Sequence, residues 1–194
     1  MAAARELTIA DEPAAWAALG FAPDAAGVVA LGDLRVRLAG RAAGEGVVAL
    51  AVEGLAGARP DGLPVVPAAA IGPAPAAHAH PNGALAVDHV VVLTDDRDRT
   101  AGALAGAGGD VRRRGRPPEL PAPMAFVRFG PLIVEVAEAA GPPRFWGLTV
   151  TVADLGAAAG PHLGPARAAV QPGRRIATVQ RDAGLSVALA LMSR

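Results

Sequence analysis

Short runs of apolar residues bounded by Gly, Asp and Pro are the main pattern along this chain, and they predict short β-strands. Helices are predicted over residues 13–19 and 96–107, where Pro13 suits a first helical turn and Asp96 supplies a cap. A shorter helix is predicted over residues 154–159. The chain therefore combines β-strands with few helices, which indicates an α+β fold.

Part of the strand pattern repeats along the chain. Residues 29–38 and 127–136 match at Val, Gly, Leu and Val, and each segment predicts two short strands joined at a glycine. A weaker third copy spans residues 179–189. A strand and, in at least two cases, a helix precede each copy, so the predicted repeating unit is strand–helix–strand–strand, with room for a further strand.

A segment rich in Pro and Ala separates two halves of the chain. Prolines at this density keep a chain extended, so the segment is predicted to be a linker. The predicted organisation is a degenerate N-terminal half over residues 1–62, a linker over 63–84 and a domain of two modules over 85–194. Residues 47–53 predict one more strand in the first half.

Composition excludes several classes of chemistry. The chain has no Cys, and all 18 of its basic residues are Arg. Thiolate nucleophiles, structural zinc sites, lysine Schiff bases and a P-loop lysine are therefore excluded. No Ser lies in a nucleophile elbow, so His, carboxylate and Arg side chains remain as candidates for catalysis.

Charge and targeting signals predict a soluble, cytoplasmic protein. The formal net charge is zero, which favours neither nucleic acid nor an anionic membrane as a partner. The longest uncharged run, residues 62–87, is interrupted by prolines, and no apolar signal core precedes residue 12. The bias towards Arg and Ala is typical of a bacterial genome rich in G and C.

Three motifs carry a resemblance to a known family. They are Val-Asp-His-Val-Val-Val-Leu-Thr-Asp-Asp over residues 87–96, Phe-Gly-Pro-Leu-Ile-Val-Glu over 129–135, and Phe-Trp-Gly-Leu-Thr-Val-Thr-Val-Ala-Asp-Leu over 145–155. The chain resembles the vicinal oxygen chelate superfamily, which includes glyoxalase I, bleomycin-resistance proteins and extradiol dioxygenases. The resemblance implies tandem β-α-β-β-β modules whose curved mixed sheets surround a cleft, and a homodimer is a possible assembly.

The resemblance also implies a pair of functional residues, His89 and Glu135. Metal-binding members of the family use a His on the first strand and a Glu on the last strand of one module. The equivalent positions of the paired module fall at Gly147 and Leu189, which cannot ligate a metal, so we expect no complete metal centre and no cofactor. Three interpretations stay open: a hydrogen-bonded pair in a ligand pocket, a divalent metal site completed by other groups, or inherited positions without function.

Further candidates for ligand binding lie in the C-terminal half. Arg174 and Arg175 follow a predicted turn and suit carboxylate recognition, although a structural role is an alternative. Trp146, Phe126 and Met124 belong to an aromatic and apolar cluster that forms either core or the wall of a cleft.

Two further motifs are more consistent with solvated surface. The His-Ala-His tract at residues 78–80 is a weak candidate for metal binding, and the arginine run over residues 112–116 lacks the interleaved aromatic residues typical of nucleic-acid binding.

The leading functional hypothesis is a glyoxalase-like or bleomycin-resistance-like protein that binds a small organic molecule in a C-terminal cleft. A metal-dependent lyase, isomerase or dioxygenase, with Glu135 and His89 as catalytic residues, is the alternative. A structural or dimerising module is the third.

Overall fold

The computed structural model describes residues 2–68, 71, 79–115, 123–158 and 160–194. Its α-helices are α1 (Pro13–Ala18) and α2 (Arg97–Gly106). Its strands are β1 (Ala3–Ile9), β2 (Val28–Leu31), β3 (Leu34–Leu38), β4 (Val47–Glu53), β5 (Val65–Pro67), β6 (Ala84–Thr94), β7 (Asp110–Gly115), β8 (Met124–Phe129), β9 (Leu132–Glu138), β10 (Arg144–Val152), β11 (Arg167–Ala168), β12 (Arg175–Thr178) and β13 (Ala188–Ser193). Single 3-10 turns lie at Arg41–Ala43, Pro60–Gly62 and Arg181–Ala183.

The first five strands form one mixed sheet, the N-terminal sheet, in the order β2-β3-β1-β4-β5. At its centre β1 pairs antiparallel with β4, while β3 and β5 lie parallel to β1 and β4 respectively. This is a shortened version of a pair of β-α-β-β-β modules. Because β5 belongs to this sheet, the sheet extends beyond residue 62 into the segment predicted to be a linker.

The other eight strands form a second mixed sheet, the C-terminal sheet, in the order β11-β12-β13-β10-β6-β9-β8-β7. One module is β6-α2-β7-β8-β9, in which β6 and β9 are parallel. The other is β10-β11-β12-β13, in which β10 and β13 are parallel. The two modules join through the antiparallel pair β6 and β10. The predicted fold class, α+β with tandem modules in mixed sheets, is confirmed.

Alternation along the strands gives each sheet one face in a common hydrophobic core. Leu7 and Leu50 of the N-terminal sheet belong to the same core cluster as Val90 and Leu148 of the C-terminal sheet. This core includes residues from both halves of the chain. The predicted division into domains stays a prediction.

The third predicted helix, over residues 154–159, is wrong. The structure has a turn over residues 155–158, in which the backbone N–H of Ala158 donates to the carbonyl of Asp154. Gly156 and Gly160 lower the helix propensity of this segment, and Pro161 cannot continue a helix. The third copy of the strand pattern has its turn at residues 181–184, with β12 before the turn and β13 after it.

No helix within the described residues is long and apolar enough to cross a membrane.

Candidate functional site

A β-bulge in β6 brings two adjacent side chains to one face of the C-terminal sheet. His89 pairs with Thr149, but the next pair is Val87 with Val150, so Asp88 is an extra residue in its strand. Regular alternation would place Asp88 and His89 on opposite faces. The bulge allows the Asp88 carboxylate to reach the His89 ring, at 2.8 Å from Oδ2 to Nδ1.

The face that carries His89 is called the open face here, and it is opposite the core. Val90 and Val92 of β6 are fully buried in the core, whereas His89 and Val91 alternate with them. Strand β9 continues the open face with Glu135, which pairs with Val91. Both functional side chains predicted from the sequence therefore lie on one face, on neighbouring strands.

His89 lies between two carboxylates. Its Nδ1 is 2.8 Å from Asp88 Oδ2 and 3.7 Å from Glu135 Oε1, and its side chain is 10% exposed. Because a carboxylate only accepts hydrogen bonds, Nδ1 carries the proton that is donated to Asp88. In the neutral ring Nε2 is then an acceptor, which is the protonation state of a general base.

Arg174 completes the cluster from the loop before β12. Its guanidinium donates to Asp88 Oδ1 at 2.8 Å, and the Thr151 hydroxyl lies 3.4 Å from the same oxygen. Burial raises the pKa of Asp88, but hydrogen bonds from His89 and Arg174 outweigh burial and hold the pKa below its usual value. Asp88 is therefore an ionised carboxylate that orients the imidazole.

Glu135 has the opposite electrostatic environment. Burial raises its pKa above the usual value, and Asp88 adds to this effect, while His89 partly offsets it. Two carboxylates on one face thus differ in proton affinity, since Asp88 has an Arg partner and Glu135 has none within hydrogen-bond distance in the described part of the chain. Such a pair suits proton transfer or binding to a polar group of a ligand.

The other residues predicted to bind a ligand do not all lie beside His89 and Glu135. Phe126 of β8 pairs with Glu135 on the open face, and Met124 is buried two residues away. Trp146 is 54% exposed and is the extra residue in a bulge of β10. Arg175 is separated from Arg174, because its guanidinium donates to the carbonyl of Ala166.

The positions that would complete a four-ligand metal centre are occupied by residues without ligand atoms. Asp154 aligns with Asp96, so Gly147 is equivalent to His89. Glu135 pairs with Val91, two residues after His89. Ala190 pairs with Thr149, two residues after Gly147, so Ala190 is the equivalent of Glu135. The sequence-based equivalence to Leu189 is wrong by one residue, because Leu189 lies in the core. Among the described residues, no group of three His, Cys, Asp or Glu side chains is arranged to hold a metal.

His80 is a structural residue, whereas His78 lies outside the described residues. The His80 ring is buried, its Nδ1 accepts from the backbone N–H of Ala22 at 3.0 Å, and its Nε2 donates to the carbonyl of Ala30 at 2.8 Å. Both ring nitrogens are thus satisfied by backbone groups, which leaves none for a metal.

Two cavities lie at the segment that replaces a helix in the second module, away from His89. One, of about 300 Å³, is lined by residues that include Leu19, Phe21, Leu163 and Leu191. The other lies between residues 153–156 and Arg175.

The paired modules, joined through their first strands, define a vicinal oxygen chelate type of fold, in agreement with the sequence resemblance. No family model and no curated protein matches the chain.

Among solved structures, methylmalonyl-CoA epimerase from Mycobacterium tuberculosis is 14% identical, with a TM-score of 0.44 over 55% of this chain and 86% of that chain. A Streptomyces coelicolor methylmalonyl-CoA epimerase variant in complex with 2-nitronate-propionyl-CoA is 18% identical, with a TM-score of 0.46 over 55% and 92%. A hypothetical protein from Bacillus halodurans is 11% identical, with a TM-score of 0.46 over 56% and 93%.

Proposed function

We propose that this protein binds a small organic molecule on the open face of the C-terminal sheet, around His89 and Glu135, without the four-ligand metal centre of its fold type. The observation that carries the proposal is the cluster of Asp88, His89 and Glu135. It combines an oriented imidazole with a carboxyl group of raised pKa. Burial of such polar groups is costly unless they are used or paired, so a polar ligand group is the natural partner of Nε2 and Glu135.

The site does not fit a metal of the expected kind, since Gly147 and Ala190 replace two ligands and His89 Nδ1 is engaged by Asp88. A calorimetric titration with nickel, manganese and zinc tests this point. We expect no binding with a 1:1 stoichiometry that depends on both His89 and Glu135. Binding that His89→Gln and Glu135→Gln both abolish would favour the metal-dependent alternative.

A second function, proton transfer on the bound molecule, is favoured by the arrangement of Asp88 and His89. An ionised Asp that accepts from Nδ1 stabilises the imidazolium that forms when Nε2 takes a proton. Glu135 Oε1 lies 3.7 Å from Nδ1 of the same ring, and its raised pKa suits a carboxyl group that holds a proton. This candidate corresponds to an isomerase or lyase whose chemistry uses only side chains of this chain.

Fluorescence titration with a panel of planar phenols and antibiotics tests ligand binding. Trp146 is half-exposed and Trp16 is fully buried, so quenching reports mainly on the sheet that carries the site. We expect at least one compound to bind, and Glu135→Gln and His89→Gln to weaken its affinity at least tenfold. Glu138→Gln, on the same strand but exposed, is the matched control and should leave affinity unchanged.

Failure of the whole panel, or equal weakening by the control, would overturn the proposal. The predictions of a cytoplasmic location and of a homodimer are not needed for it and stay predictions.

A further inference from the structure

Of the three consecutive arginines at residues 112–114, the middle one, on the open face, has no acidic partner among the described residues, although both of its neighbours have one. Arg112 pairs with Asp110 at 2.9 Å, and Arg114 pairs with Asp98 of α2 at 2.9 Å. Within the described part of the chain, no ion pair or hydrogen bond involves the side chain of Arg113. Arg112 and Arg114 are therefore neutralised locally, whereas Arg113 between them is not.

Strand register places Arg113 in line with the proposed site. Arg113 of β7 pairs with Phe126 of β8, Phe126 pairs with Glu135 of β9, and Glu135 pairs with Val91 of β6. Cross-strand neighbours lie on the same face, so these side chains form one row across the open face. Arg114, one residue further along, lies on the opposite face and reaches the helix.

The row has a chemical order that a ligand would have to match. A cation lies at the sheet edge, an aromatic ring follows, and the acid–base pair of Glu135 and His89 lies at the inner end. Neighbouring strands are about 4.8 Å apart, so the backbones of Arg113 and Glu135 are separated by about 10 Å.

We propose that the site takes a planar aromatic or unsaturated carboxylate. Its acid group would pair with Arg113, its flat body would pack on Phe126, and a polar group at its far end would meet Glu135 and His89. The inference rests on the proposed function and adds the class of ligand to it. A guanidinium recognises a carboxylate through two parallel hydrogen bonds, and an aromatic face favours a flat apolar body.

Calorimetry with 4-hydroxycinnamate and its uncharged amide tests the inference. The two probes share size and shape and differ in the charge of one end. We expect the wild-type protein to bind the carboxylate at least tenfold more tightly than the amide, with the difference decreasing as salt is added. Arg113→Gln should remove this preference and leave affinity for the amide unchanged, whereas Arg114→Gln should retain the preference.

Equal affinity of the wild-type protein for both probes, or a preference that survives in Arg113→Gln, would overturn the inference. If both probes bind equally and Glu135→Gln weakens both, the inference fails and the proposed function stands. If neither probe binds, the inference fails, and the proposed function fails only when the wider panel of planar compounds also gives no binding.

Discussion

Asp88 and Glu135 show how two carboxylates on one sheet face acquire different chemistry. The Asp88 side chain accepts from His89 and Arg174, which holds its pKa low despite burial. Glu135 has no arginine within hydrogen-bond distance among the described residues, and burial raises its pKa. The difference comes from the hydrogen bonds that Asp88 accepts from its neighbour His89 and from Arg174, which lies 86 residues away in the chain.

Asp88→Asn tests the role of Asp88 in the cluster. A lowered pKa in the folded protein contributes stability above the unfolded pKa, and this contribution is lost as pH falls through the folded pKa. We expect Asp88→Asn to lower the free energy of unfolding by about 1.5–3 kcal/mol at pH 7, the usual range for hydrogen bonds to charged groups. Urea unfolding at pH 7 and at acidic pH measures the difference.

The difference in the free energy of unfolding between wild-type protein and Asp88→Asn should become smaller at acidic pH, because Asp88 is then protonated in the wild-type protein. Asp110→Asn removes an exposed carboxylate and should change stability by less than about 0.5 kcal/mol. A gap independent of pH would contradict the assignment of Asp88 as the ionised member.

Glu135→Gln should have the opposite effect on the free energy of unfolding from Asp88→Asn. When folding raises the pKa of an acid, the cost of burying its charged form is absent below the unfolded pKa and develops as pH rises through the folded pKa. The variant lacks this cost, so it should match or exceed wild-type stability at pH 7 and lose any advantage at acidic pH. Chemical unfolding at pH 7 and at acidic pH measures the stability of the variant and of the wild-type protein. A variant that is clearly less stable than wild type at pH 7 would contradict the account.

At the scale of elements, the sequence predicts strands well where a Val-rich run is bounded by turn residues. The pattern predicts a strand over residues 47–53, where β4 lies, and the open face of β6 follows from alternation around His89. The position of Asp88 was not predictable, because a bulge inserts a residue without a compositional signal. Periodicity does not reveal the pairing of β9 with β6, since parallel partners are remote in sequence, and only the family resemblance implies that His89 and Glu135 form a pair.

The glycine at position 147 is required by the close approach of β10 and β13. A Cβ atom there would lie 2.6 Å from the carbonyl oxygen of Ala188. We expect Gly147→Ala to destabilise the protein by about 1–3 kcal/mol, because overpacking forces the backbones apart. Thermal unfolding, monitored by circular dichroism, measures the resulting decrease in Tm.

Gly102 of α2 is the matched control for Gly147. It has no atom within 4 Å of the added Cβ, so Gly102→Ala should raise stability by about 0.5–1 kcal/mol through helix propensity. If Gly147→Ala were as stable as wild-type protein, the sheet spacing described here would be wrong.

At the scale of the whole molecule, the two sheets are connected by buried polar contacts as well as by the common core. Asp11, fully buried at the end of β1, accepts from the Trp16 indole at 3.1 Å and from the backbone N–H of Ser186 at 2.6 Å. These residues link the beginning and the end of the chain. The sequence gives no sign of such a contact, because it joins positions 175 residues apart.

Asp11→Ala should therefore destabilise the molecule strongly. It leaves the buried Trp16 indole N–H and the part-buried Ser186 N–H without their acceptor, at about 1–3 kcal/mol each, so we expect a loss of about 2–6 kcal/mol in the free energy of unfolding. Asp33→Ala, at an exposed turn, should cost less than about 0.5 kcal/mol. Guanidinium unfolding measures the loss of stability in each variant. Equal losses in Asp11→Ala and Asp33→Ala would show that Asp11 does not connect the sheets.

The central claim, that the open face around His89 and Glu135 binds a small organic molecule, is tested most directly by locating a bound ligand. Amide NMR spectra of isotope-labelled protein, recorded during titration with the tightest compound of the phenol panel, report which residues sense it. The account predicts that shifts concentrate on β6, β9 and the neighbouring part of β10, with Asp88, His89 and Glu135 among them. Shifts confined to the cavities beside residues 153–166, or no shifts at saturating concentration, would contradict it.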